Sequence, residues 1–268
     1  MYIYSQFDVE SHFGGKLKIA YLNQPETMNA LTKPLLTELK EFVEFYDKDE
    51  DTRCIAIAAR GKAFSSGQNL AAIDFMHPDV DVPREVQRIV LDYYNPLVMS
   101  IVYARKPVIS LVNGPAVGAG AMLALICDFS VVSENAYFST AFSKIGLIPD
   151  TGGTYFLQKV VGRQMAHYLA YTGKKLSAGE AQKLGMVAEV WPEAEFEAKA
   201  MEMLESITNQ PTVALSLTKR ALRKSYDSSL KEQLDIESRY QSTASGTEDF
   251  REGILAFTDK RKPVYKGK

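Results

Sequence analysis

Short apolar runs separated by turn residues make up the first part of the chain. Leu17-Lys18-Ile19-Ala20-Tyr21-Leu22 alternates with period two and ends at Asn23-Gln24-Pro25-Glu26, which predicts a strand and a turn. Thr32 then precedes apolar positions at Leu35, Leu36, Leu39, Phe42, Val43 and Tyr46, the spacing of a helix with a threonine cap. Cys54 to Ala59 and Val108 to Val112 are unbroken apolar runs, as expected of buried strands, and Phe129 to Ser133 reads as another. A long helix is expected from Arg84 to about Tyr103, stopping before Lys106-Pro107. Met76 to Pro83, with its prolines, reads as a loop. This βα rhythm predicts an α/β core.

After Gly152 the pattern becomes mostly helical. Ser177 and Glu180 have capping-box spacing, and Gly185 suits a helix C-terminus. From about Glu193 onward every segment reads as helix, including Ser229 to about Tyr240 and Thr247 to Lys260. The expected organisation is an α/β core over residues 1–195 with a helical region over 196–268. No internal repeat or low-complexity stretch interrupts it.

Two turns stand out from this pattern: Ala63-Phe64-Ser65-Ser66-Gly67-Gln68-Asn69-Leu70 and Asn113-Gly114-Pro115-Ala116-Val117-Gly118-Ala119-Gly120-Ala121. Each follows an apolar run and leads through small residues towards helix-like sequence. Small residues let backbone amides approach a ligand, and two such donors facing one point would hold a developing oxyanion. A tight turn that only packs a helix on a strand explains the same composition. A dinucleotide fingerprint is not matched, because its third glycine falls at Leu123.

Composition narrows the partners. The 268 residues are 46% hydrophobic and 24% charged, and 31 basic against 33 acidic residues leave a net charge of -2. This balance offers no general attraction to nucleic acid or anionic lipid. Cys54 and Cys127 read as buried free thiols of a reducing compartment. The start Met1-Tyr2-Ile3-Tyr4-Ser5-Gln6 has no apolar signal core, and no apolar run reaches membrane-spanning length, so a cytoplasmic protein is expected. The three histidines, His12, His77 and His167, lack zinc-ligand spacing, and no metal is expected. No Gly-x-Ser-x-Gly elbow is present.

Asp150, in Gly146-Leu147-Ile148-Pro149-Asp150-Thr151-Gly152-Gly153-Thr154, is the acid with the most telling context. It suits a helix N-cap. That is the reading its local context favours; the alternative is a carboxyl in an apolar pocket, where desolvation raises the pKa towards that of a proton shuttle.

Over essentially the whole chain these motifs resemble the crotonase superfamily, the enoyl-CoA hydratase/isomerase family. Asn23-Gln24-Pro25-Glu26-Thr27-Met28-Asn29-Ala30-Leu31 is similar to its N-terminal signature, and Lys106-Pro107-Val108-Ile109 through Cys127-Asp128 to its central one. The resemblance implies a spiral of ββα units carrying the acyl-CoA-binding core, then a helical region that mediates trimerisation, often into hexamers. It implies an acyl-CoA thioester as substrate and no cofactor besides, coenzyme A being part of that substrate. The implied oxyanion donors are the backbone N–H groups of Gln68 and Ala119. Gly118, beside Ala119, belongs to the same implied site. Ala63, Ser66, Gly67, Asn69 and Leu70, with Met28, would line the coenzyme A path; Asn69 stands where many members carry Asp. Phe257 and Lys260 match a pair that meets the coenzyme A of a neighbouring subunit.

The resemblance also distinguishes reactions. Hydratases carry two glutamates that activate water, and this chain has Met122 and Phe142 at those positions. Asp150 stands where enoyl-CoA, dienoyl-CoA and epoxyphenylacetyl-CoA isomerases carry an acid. The implied activity is an isomerase that shifts a double bond or opens a ring epoxide, in fatty acid or phenylacetate breakdown, with Asp150 as acid and base. A hydratase of low activity and a non-catalytic scaffold for CoA esters or RNA are the alternatives. Dehalogenases of the superfamily use an Asp nucleophile with a histidine in the helix before the Lys-Pro strand; residues 84–103 contain none. The loop from Ile73 to Arg84, Tyr93-Tyr94 and Phe142 are expected to shape the acyl pocket.

Overall fold

The computed structural model describes residues 4–72 and 77–268, so part of the expected pocket loop, positions 73–76, lies outside the described residues. The chain enters through β1 (Phe7–His12) and β2 (Leu17–Leu22), followed by α1 (Lys33–Lys48) and β3 (Cys54–Ala59). Next come α2 (Val82–Ile89), α3 (Asn95–Tyr103), β4 (Val108–Val112), β5 (Ala116–Val117), α4 (Ala119–Leu125), β6 (Phe129–Ser133) and β7 (Tyr137–Ser139). The remainder is α5 (Gly153–Thr172), β8 (Leu176–Ser177), α6 (Ala178–Lys183), β9 (Glu189–Trp191), α7 (Glu193–Thr208), α8 (Thr212–Lys224), α9 (Leu230–Ser245) and α10 (Glu248–Thr258).

Six strands form the main sheet in the order β1-β2-β3-β4-β6-β9, and β5-β7-β8 form a second sheet. Only β1 runs antiparallel to its neighbour in the main sheet. The inner strands are apolar at every or nearly every position because both faces are covered. Ile55, Ile57, Val108, Val112 and Val132 meet Leu35, Leu39 and Phe42 of α1 and Leu97 and Ile101 of α3 in one cluster. Cys54, Ala56, Ala58, Ile109, Leu111 and Val131 face the other way, onto Phe196, Ala200 and Leu204 of α7.

The expected caps are present. The Thr32 hydroxyl accepts from Leu35 N–H, and Ser177 with Glu180 forms the reciprocal capping box. Several boundaries differ from expectation; α9, for one, runs on to Ser245. The loop ends at Asp81, whose side chain caps α2 through Arg84 N–H at 3.2 Å, so the helix starts at Val82. Residues Val90–Tyr94 form a π-helical turn between α2 and α3. The last helix stops at Thr258, and the chain then folds back, held by Lys266 and Gly267 N–H donating to the Asp249 carboxylate at 2.6 and 2.8 Å. Strands β1 and β9 lack an unbroken apolar run, and sheet pairing rather than hydrophobic pattern defines them.

Both cysteines are free and buried; burial pushes the Cys127 thiol up to about 12. No helix among the described residues is long and apolar enough to cross a membrane.

Candidate active site

The turns that follow β3 and β4 lie against each other. Phe64 and Ser65 N–H donate to Pro115 O at 3.0 and 3.2 Å, and Val117 N–H returns to Ser65 O at 2.9 Å. Glycine is required where they touch. A Cβ on Gly67, which already has φ +89°, would stand 2.7 Å from Val117 O and 3.3 Å from Ala119 N. One on Gly120 would meet Ser65 Cβ at 2.6 Å.

At this junction the N–H groups of Gln68 and Ala119 have no backbone acceptor among the described residues. Leu31 N–H donates to Gly67 O at 2.7 Å, and Asn69 N–H donates to Leu31 O at 2.9 Å. That pattern is a single parallel bridge centred on Gln68, so the Gln68 N–H points away from Leu31. Ala119 is the first residue of α4, and its N–H precedes the helical ladder. Gly118, at φ +54°, turns the chain into that helix and is anchored by its N–H to Ser139 O at 2.8 Å.

Asn29 braces the first turn from below. It is 1% exposed, and its Nδ2 donates to the carbonyls of Arg60 and Ala63 at 2.9 and 2.8 Å, while its Oδ1 accepts from Gln24 N–H at 2.8 Å. Ser65 Oγ donates to Asn29 O at 2.8 Å and accepts from Gly67 N–H at 3.1 Å. Asn29 belongs to a legible sequence motif, but its bracing role rests on partners more than 30 residues away. Ser66 N–H donates to Met28 O at 2.9 Å, which sets the exposed Met28 side chain beside the same turn. Leu70 is likewise exposed, and Asn69 lies half-buried next to it.

Asp150 is partly buried, three residues before Gly153, which packs against Met122 of α4. Its side chain does not cap α5: Gly152 is the N-cap residue, and Gly153 N–H bonds to the main-chain O of Asp150 at 2.7 Å. The structure thereby replaces the side-chain N-cap with a free carboxyl. Thr151 Oγ1 donates to Asp150 Oδ1 at 2.8 Å, and Thr151 itself has φ +52°, a rare conformation for a β-branched residue. Burial raises the Asp150 pKa, and the Thr151 hydrogen bond opposes the rise in part. Asp150 forms no ion pair among the described residues.

Contacts, with one through-space charge effect, relate these groups. From Gly67 the chain touches Ala119; one turn along α4, Met122 packs its sulfur against Gly153, three residues after Asp150. The Asp150 charge acts on the phenol of Tyr94, and Tyr94 Oη donates to Gln68 Oε1 at 2.7 Å. Met122 is 0% and Phe142 6% exposed, so both are apolar groups within the core. Tyr94, expected as a pocket wall, is also a hydrogen-bond donor. Its partner lies 26 residues away, and no local pattern signals the contact.

Phe257 is 85% exposed at the end of α10, and Lys260 follows it with φ +54°. No hydrogen bond or ion pair among the described residues joins either to the two turns.

The sequence pattern for enoyl-CoA hydratase/isomerase matches residues 15–268. A protein of Escherichia coli (strain K12) named 1,2-epoxyphenylacetyl-CoA isomerase is 38% identical over 96% of this chain and 98% of its own length. A probable enoyl-CoA hydratase of Rhodobacter capsulatus is 34% identical over 94% of this chain and 95% of its own. Among solved structures, an enoyl-CoA hydratase from Bacillus anthracis superposes with a TM-score of 0.92 at 30% identity, covering 98% of this chain and 100% of the other. This chain belongs to the enoyl-CoA hydratase/isomerase family, with the α/β crotonase fold.

Proposed function

We propose that this protein is an acyl-CoA isomerase that works through a thioester enolate, with Asp150 as its acid and base. The observation that carries this reading is the Asp150 carboxyl: it is partly buried, has no cation partner among the described residues, and lies near enough for its charge, after burial, to help raise the pKa of Tyr94, which is hydrogen-bonded to Gln68. Family membership supports an acyl-CoA substrate. The thioester oxygen is placed against the N–H groups of Gln68 and Ala119. Asp150 takes a proton from C2 of a β,γ-unsaturated acyl group, and the bonding pair moves into the enolate. When the carbonyl re-forms, a double bond forms between C2 and C3, and the pair of the former C3–C4 double bond takes the proton from Asp150 at C4. Atoms and charge balance, and the carboxylate is restored.

An enolate needs its oxygen held more than it needs a strong base; losing one such donor typically costs about 3 kcal/mol of barrier. The raised pKa of Asp150 brings it closer to the neutral range in which it both accepts and returns the proton. Hydration is disfavoured because Met122 and Phe142 supply no carboxylate for a water. Opening of a ring epoxide on an arylacetyl-CoA is a second form of the same chemistry, favoured by the name of the 38% identical relative.

The test offers 3-enoyl-CoA, 2-enoyl-CoA and a ring-epoxide acyl-CoA to the enzyme in deuterated water. Isomerisation of the first or third is the expected result, with deuterium entering only to the extent that the Asp150 carboxyl exchanges with solvent before it returns the proton. Dominant hydration of 2-enoyl-CoA would refute the reading, and CoA-ester binding with neither isomerisation nor exchange would favour a scaffold.

A further inference from the structure

Tyr94 is 2% exposed and closes the π-helical turn Val90–Tyr94. Turns of this type insert an extra residue into a helix and re-aim the side chains around it. Here the result is a phenol inside the core cluster whose hydroxyl reaches Gln68 Oε1 at 2.7 Å. The other end of the Gln68 amide is also engaged, Nε2 donating to Asn69 O at 3.2 Å. The Gln68 side chain is therefore held at both polar atoms. Its own peptide N–H is the proposed oxyanion donor, and the N–H of the next residue is already committed to Leu31 O. Burial and the Asp150 charge both raise the phenol pKa, so the hydroxyl keeps its proton and remains a donor while the carboxylate ionises.

We propose that Tyr94 is a positioning residue: by fixing the Gln68 side chain it holds the Gln68 peptide N–H at the angle an enolate oxygen requires. This inference rests on the isomerase reading above. Catalysis by a preorganised donor depends on its orientation before the charge appears, because reorientation during the reaction would raise the barrier. A tether that acts only on that donor contributes to the transition state and little to ground-state binding.

The experiment compares wild type, Tyr94→Phe, Gln68→Met and the double variant, with 3-enoyl-CoA in deuterated water. Gln68→Met keeps the peptide N–H and removes the acceptor, and it changes a half-buried side chain instead of a core one. Each single variant is expected to lower kcat about tenfold, the size of one lost hydrogen bond with an unpaired buried group, with KM nearly constant. The double variant is expected to be no worse than the poorer single one, since both remove the same tether. Tyr94→Phe at wild-type kcat, or losses that multiply in the double variant, would overturn the inference. If Tyr94→Phe is unstable by thermal melting, Gln68→Met alone decides: unchanged kcat refutes the tether. Absence of exchange and isomerisation in wild type would sink the isomerase reading first and this inference with it. Exchange in wild type with an unaffected variant sinks only the tether.

Discussion

At the start of β6, Asp128 meets the Lys219 ammonium at 3.1 Å and accepts the Val108 N–H at 2.8 Å; Asp150, before α5, receives the Thr151 hydroxyl and no cation. Burial raises the pKa of both carboxyls, and in Asp128 the Lys219 charge pulls it back. The Lys219 ammonium, 10% exposed on its side chain, also donates to Ile101 O and Lys106 O at 3.1 Å each, so α8 is fastened to the ends of α3 and the strand entry. The two aspartates use desolvation for opposite ends. Where a cation and an amide satisfy the charge, the carboxyl is a fastener. Where no cation meets it, the carboxyl keeps free capacity for a proton.

The largest expected effect separates these roles directly. Asp150→Asn is expected to cut isomerisation by about 10²- to 10⁴-fold, the usual range for a general acid–base group. Circular dichroism and CoA-ester affinity should stay near wild type. Turnover at the wild-type rate would place the chemistry elsewhere. Lys219→Met reverses the pattern, because it leaves Asp128 without its cation. The pair lies between the surface and fully buried cases, so a loss of about 2 kcal/mol in urea unfolding is expected, with kcat per folded molecule retained. A stability change within error would demote Asp128 from fastener to bystander.

Thr151→Val turns Asp150 into a carboxyl with no side-chain donor. Its pKa then rises further, and since the ionised form abstracts the proton, the acidic limb of the kcat/KM profile should move to higher pH. A limb that stays in place would show that the hydroxyl does not reach the charge. The smallest effect concerns stability. A carboxyl whose folded pKa is raised stabilises the fold when protonated, and that contribution is lost as pH rises from the ordinary aspartate range through the raised value. Asp150→Asn removes this loss, so its melting temperature should gain on wild type across that window and hold the gain above it. A gap that narrows with rising pH would contradict desolvation as the cause.

Local chemistry was legible along the chain where it acts over a few residues. Thr32 and the Ser177/Glu180 box cap their helices because the partners lie three residues off. The apolar runs of β2, β3, β4 and β6 mark strands covered on both faces. Motif resemblance pointed to the family and to Gln68, Ala119 and Asp150 together. Short pieces such as β5, β8 and β9 carry too few residues for a periodic signal, and they exist through their pairing.

By itself, the sequence determined the longer strands and helices, the apolar side chains at Met122 and Phe142, and the carboxyl at Asp150. Tertiary structure decided that Asp150 does not spend its side chain on a helix cap, that Asn29 braces the first turn, and that Tyr94 reaches Gln68. The last two are contacts between residues distant in the chain. Their free energy arises only once the sheet and helices have packed, so no local spacing records them.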